Sequence, residues 1–293
     1  MAQLLAKLRT RVLEHLSSDP ARQPLGGVGI FHSRQPQSLH GVPIHQPLMV
    51  LVVSGRKVIA LGERRVDVLP GEMLLLPGGC TVEVGNHPGK QGEDYLGLAI
   101  AFPEDSIVQF RRSYGADGVT DSTPRWSAPA PEGVVTAMAQ WVDWCMLHSA
   151  DPALARHRQV EFLLLLARAG VAGNLLLNRE ASWRERIVQL LALDPARDWS
   201  AAEVCRRLGV GESTLRRHLH EEGSGFRQVL EETRMVAGLA LLQETFWPVG
   251  QVAEAVGYSS HSRFSERFRR HFGLSPAELK RSRESETEQK VSI

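Results

Sequence analysis

The sequence predicts a multidomain α+β chain: an N-terminal β-barrel with flanking helices, then an all-α C-terminal domain with two helix-turn-helix units. Three observations predict it. Residues 25 to 102 break into short apolar runs of Val, Leu and Ile cut by "SG", "LGE", "LPG" and "PGG", a pattern of strands and tight turns. From Trp183 to about residue 282 the apolar spacing becomes helical. That helical stretch also repeats its own text.

The 293 residues leave room for about two domains. A hydrophobic fraction of 43% and a charged fraction of 23% are ordinary for a globular protein. The net charge of +1 gives no global pull on a polyanion, so any electrostatic argument has to be local. Cys80, Cys145 and Cys205 lie far apart without a CxxC pair, which implies neither a disulfide framework nor a zinc knuckle.

Taken in order, "MAQLLAKLRTRVLEHLSS" reads as an amphipathic helix over residues 1 to 18. Its apolar run is broken by Lys7, Arg9, Arg11 and Glu14, unlike a signal peptide. In the β-rich stretch, Leu51, Val53, Ile59 and Leu75 are expected to fill the barrel interior. The basic residues at 56, 57, 64 and 65 fall at predicted hairpin ends and read as a solvated face. Residues 111 to 132 read as a polar surface connection. Two helices follow, "EGVVTAMAQWVDWCMLHS" and "LARHRQVEFLLLLARAG", with apolar stripes suited to a core first and a dimer interface second. "FLLLLA", the most apolar run, is far too short to span a membrane, so a cytoplasmic chain with no membrane partner is expected. Domain limits are expected at 1–175, 176–182 (linker), 183–283 and 284–293 (polar tail).

The repeat pairs Ser200–Phe226 with Pro248–Pro276. Leu208-Gly209-Val210 corresponds to Val256-Gly257-Tyr258, and Leu215 and Leu219 correspond to Phe264 and Phe268. Ser200 with Glu203 reads as a capping box, and Pro248 starts the matching helix of the second copy. Gly209 and Gly257 stop those helices, because a left-handed C-terminal residue is least strained as Gly. A second helix follows at once in each copy. Such a second helix can protrude into a DNA major groove. Between the copies, about 18 residues of helix at roughly 1.5 Å each span on the order of 27 Å, close to the roughly 34 Å between successive major-groove faces. Residues 183–283 hold about 16 Lys and Arg against about 13 Asp and Glu, so the basic character is clustered rather than overall.

"RMVAGLALLQETFWPVGQVAEAVGYSSHSRFSERFRRHFGLSPAEL" resembles the signature region of the AraC/XylS-type bacterial transcription regulators. The resemblance rests on Arg234, the Val-Gly-Tyr turn, the Phe-x-x-x-Phe register and the closing Gly-x-Ser-Pro. It implies binding to double-stranded promoter DNA, with RNA polymerase as a further partner. By motif position, the first recognition helix would offer Ser213, Thr214, Arg216 and Arg217. The second would offer His261, Ser262, Arg263, Ser265 and Glu266, with Arg269 and Arg270 on phosphates. Glu266 departs from the family, whose members often carry a basic residue there.

The β-rich segment resembles, more weakly, the family's cupin-like domain, which implies a small-molecule effector and a homodimer. Cupin-like folds also include metal-dependent enzymes. That chemistry needs two His at i and i+2 on one strand face with a carboxylate. His32, His40, His45 and His87 form no such pair, and His218 with His220 falls on the first recognition helix. No nucleophile motif, Walker loop or GxGxxG is present. The expectation is therefore a regulator without cofactor or metal, not an enzyme. The alternatives are a cupin-type metal-dependent enzyme fused to a DNA-binding module, and a ligand-independent regulator.

Overall fold

The computed structural model describes residues 1–18, 25–90, 92–115, 125–148, 151–176 and 182–283. The expected polar tail and nearly all of the expected linker lie outside these residues. The chain divides into two compact units. The first comprises Met1–Leu177, Gln243–Phe246 and the chain from Leu279; the second comprises Asn178–Leu242 and Trp247–Glu278.

The first unit opens with α1 (Ala2–Ser18), followed by β1 (Gly29–Ser33), β2 (Gln37–Ile44), β3 (Leu48–Ser54) and β4 (Arg56–Leu61). Next come β5 (Arg64–Val68), β6 (Glu72–Leu76), β7 (Cys80–His87) and β8 (Tyr95–Ala101). Then follow α2 (Glu104–Tyr114), β9 (Ser127–Pro129), α3 (Glu132–Leu147) and α4 (Pro152–Arg168). The strands form two antiparallel sheets, β1-β8-β3-β6-β9 and β2-β7-β4-β5, rather than one closed barrel.

Because strand side chains alternate faces, the five-stranded sheet is apolar on both. One face joins the helices in a core that includes Leu51, Val53, Leu75, Phe110, Trp141 and Phe162. The other meets the second sheet through Val50, Val52, Ile59, Leu74, Val82 and Tyr95. Three of the four residues expected inside the barrel, Leu51, Val53 and Leu75, therefore face the helices; only Ile59 lies between the sheets.

Two other expectations change. The segment "EDSIVQFRRSY" is a helix that starts after Pro103 and buries Ile107 and Phe110, so the surface connection begins later than residue 111. Arg56, Arg64 and Arg65 are exposed as expected, but Lys57 is only 3% exposed. It lies on the same face of β4 as Ile59, so the strand period turns it inward.

The second unit contains α5 (Trp183–Leu191), α6 (Ala201–Leu208), α7 (Glu212–Glu221), and most of α8 (Phe226–Glu244). Then come α9 (Val249–Ala255), α10 (His261–Phe272) and the start of α11 (Pro276–Arg281). Ser200 caps α6 by accepting from the Glu203 amide. Glu203 does not return the bond; its carboxylate pairs with Arg197 and Arg207 instead. The reciprocal capping box is at Ser182 and Glu185, at the start of α5. Pro248 takes the N-cap position rather than the first helical one. Gly209 ends α6 at φ 69° and Gly257 follows α9 at φ 81°, both left-handed as the repeat required.

Candidate nucleic-acid interface

Each of the two short helices following a glycine turn is pinned by an apolar stripe. In α7, Leu215 and Leu219 are buried in a core with Ile187, Leu191, Val204 and Val229. In α10, Phe264, Phe268 and Phe272 are completely buried, with successive ring centroids 5.6 Å and 4.7 Å apart. Spacing at i and i+4 puts these rings on one face, so the intervening residues must turn outward.

Most of the residues the motif singled out turn outward, beside others such as His220 and Arg267. On α7, Ser213, Arg216 and Arg217 are exposed and Thr214 is half-buried. On α10, His261, Ser262, Arg263, Glu266, Arg269 and Arg270 are exposed, and Ser265 is half-buried. Between α7 and the start of α8 lies an open groove of about 1010 Å³; its lining includes Ser213, Arg216, Arg217, His220 and Arg227. Along α10 the basic residues differ in their company. Arg263 and Arg269 make no ion pair among the described residues. Arg270 instead reaches Glu231 on α8 at 3.4 Å. Arg267 donates to both Glu231 oxygens at 2.8 Å, and that bond holds its guanidinium proton more firmly than usual. Glu266 is exposed and makes no ion pair among the described residues, so its carboxylate stays open to an outside donor.

The long helix α8 braces the loop before α6 and the second glycine turn. Arg234 donates to the Pro195 and Arg197 carbonyls at 3.0 Å each, tying α8 to the loop before α6. A side chain at Gly257 would come within 2.9 Å of the Ala196 carbonyl and the Arg234 guanidinium. Gly257 is therefore required by close approach as well as by its left-handed backbone. Gly238, inside α8, leaves room for the Phe264 ring, which a Cβ would meet at 2.9 Å. Glu231 and Gly238 were not singled out from sequence, because their partners lie 36 and 26 residues away and no local spacing marks them.

His218 and His220 do not share a ligand. His218 stacks on Trp183, with centroids 4.6 Å apart, and His220 is exposed. Among the described residues no group of His, Cys, Asp and Glu could hold a metal ion, and no helix is long and apolar enough to cross a membrane.

Two helix-turn-helix units behind a β-sandwich domain define a class of two-part transcription regulators. Residues 24–171 match the AraC-type transcriptional regulator N-terminus, and residues 204–282 match a helix-turn-helix domain family. The chain belongs to the AraC-type transcriptional regulators. It is 32% identical over 109 residues to the urease operon transcriptional activator of Escherichia coli, covering 37% of each chain. It is 21% identical over 250 residues to the transcriptional activator AggR of Escherichia coli, covering 82% of this chain and 92% of AggR. The chain spans little more than a third of the first relative and most of the second. A ligand-free ToxT point variant from Vibrio cholerae superposes with a TM-score of 0.61 at 13% identity, over 88% of this chain and 97% of ToxT. An unsaturated fatty acid-bound ToxT gives 0.59 at 14% identity, over 87% of this chain and 94% of ToxT. At these identities the likeness is one of fold.

Proposed function

We propose that this protein is a cytoplasmic regulator that binds promoter DNA sequence-specifically through α7 and α10, and that a small effector in its first unit modulates it. The observation that carries the reading is the outward placement of Arg216 and Arg263, each without an ion pair among the described residues and each on a helix whose opposite face is locked into a core. Arg can donate bidentately to guanine O6 and N7, and Arg269 with Arg217 can supply phosphate contacts. Ser213, Thr214, His261, Ser262 and Ser265 add shorter polar groups, and Glu266 can accept from cytosine N4. Relatives named as activators support RNA polymerase as the downstream partner, and the fatty acid-bound ToxT supports a small effector.

The test is a footprint on a selected operator. Arg216→Ala and Arg263→Ala should each weaken binding by about 1 to 3 kcal/mol and relax preference at one base position. Unchanged affinity and preference in Arg263→Ala would remove α10 from the base-reading surface.

The same reading includes a homodimer. Trp144 and Leu147 at the end of α3 are 41% and 79% exposed, and Leu154 on α4 is 43% exposed. Large apolar side chains grouped on a surface suit a partner of the same kind.

A further inference from the structure

The groove of about 1010 Å³ beside α7 has two walls. Ser213, Arg216, Arg217 and His220 make the first; they fall at i, i+3, i+4 and i+7 and so share one face of α7. Phe226, Arg227 and Gln228, on the first turn of α8, make the second. Arg227 and Gln228 are exposed and Phe226 is half-buried. Arg227 makes no ion pair among the described residues, and the first turn of α8 holds no acidic side chain. The groove's lining includes a single carboxylate, Glu212, which stands at the start of α7 while His220 stands near its end.

The second head has no such wall. Phe226 corresponds to Pro276 in the repeat, so Arg227 corresponds to Ala277 and Gln228 to Glu278. The Glu278 carboxylate accepts from the Ser275 amide at 2.6 Å and from its hydroxyl at 2.7 Å. An internal anion thus occupies the start of α11, where the first copy offers an unpaired cation.

We propose that Arg227 is a DNA-backbone contact, seating with His220 and Gln228 one phosphate of the strand that passes the C-terminal end of α7. This rests on the DNA-binding reading above and adds a residue to it. A recognition helix meets base edges with its N-terminal residues, which leaves its C-terminal end beside the sugar–phosphate backbone. There the last turn of α7 and the first turn of α8 supply what a phosphodiester needs, one full positive charge and neutral N–H donors. The half-buried Phe226 ring adds apolar surface for a deoxyribose. Phosphate contacts fix register without reading sequence, so Arg227 holds α7 in place while Arg216 reads.

The experiment measures binding of the full chain to a selected operator and to a random duplex of equal length across a range of salt. Arg227→Ala should weaken both by the same factor, with base preference unmoved, and lower the slope of log affinity against log salt by about one. Between about 50 and 200 mM salt, its loss of affinity should then be about three- to fourfold smaller than that of the wild type. Arg227→Lys should keep the slope, because a phosphate accepts a point charge. Ethylating a single operator phosphate should impair the wild type and leave Arg227→Ala unaffected. An unchanged slope, a shifted base preference or a lowered unfolding midpoint in Arg227→Ala overturns the proposal. So does intact DNA binding with lost transcription by RNA polymerase, which would give the groove to a protein partner. A wild type without sequence preference fails the DNA-binding reading itself, whereas an unchanged slope in Arg227→Ala fails this inference alone.

Discussion

At the scale of single residues, Lys57 has the most measurable chemistry. Its amine ordinarily loses its proton near 10.5, and burial moves that to about 7. The groups packed on it are Asn86, Phe31 and Tyr95; only Tyr95 titrates, and burial pushes its hydroxyl further up. Between pH 7 and 10.5 the unfolded chain therefore holds a proton that the folded chain releases. Folding becomes more favourable as pH rises through that window, and the penalty is complete below about pH 7. The unfolding midpoint of the wild type should gain on that of Lys57→Met between about pH 7 and about pH 9.5. Parallel curves would mean that Lys57 is not held in a dry site. The sequence placed Lys57 correctly next to a turn, and a cation beside a turn is usually solvated. Only the strand's phase, shared with Ile59, could have shown that it turns inward.

At the scale of elements, α8 positions both helix-turn-helix units by close contacts. Gly238→Ala gains about 1 kcal/mol of helix propensity, yet its methyl meets Phe264 in a packed core, which costs about 1 to 3 kcal/mol. Net destabilisation in chemical denaturation is expected, and a more stable variant would contradict the contact. Glu231 holds Arg267 and Arg270 on the exposed side of the same helix. Glu231→Gln should free cations for phosphate contact, raising DNA affinity and steepening its salt dependence by about one unit of slope. An unchanged salt slope would show that those arginines do not reach the DNA. The repeated Gly turns, the Phe register and the outward residues of α7 and α10 were legible because helical periodicity sorts each residue to a face. The Glu231 clamp was not, since charges pair across 36 residues without any sequence period. The α2 helix was missed for a related reason: its two buried apolar residues, Ile107 and Phe110, are too few to stand out among polar neighbours.

At the scale of the whole molecule, the two-domain α+β order was legible from the change of hydrophobic period near Trp183. The two-sheet arrangement was not, because strand runs do not reveal which edges pair. Sedimentation of the full chain at tens of micromolar should show a dimer, and Trp144→Asp with Leu147→Asp should show a monomer. A monomeric wild type would remove the α3 end as an interface. The Lys57 ammonium donates to Asn86 Oδ1, Asn86 Nδ2 to Gln37 Oε1 and Gln37 Nε2 to Ser282 Oγ. The Ser282 carbonyl also accepts from the Arg34 and Gln35 amides at 2.7 and 3.1 Å. Ser282 stands 245 positions after Gln37, so the first unit is assembled from pieces of sequence that ribosomal order keeps far apart. A chimera cut between residues 176 and 182 would transplant the first unit without its last strip of structure, leaving Gln37 with a bare donor. In swaps between regulators of this kind, the C-terminal strip has to travel with the N-terminal half.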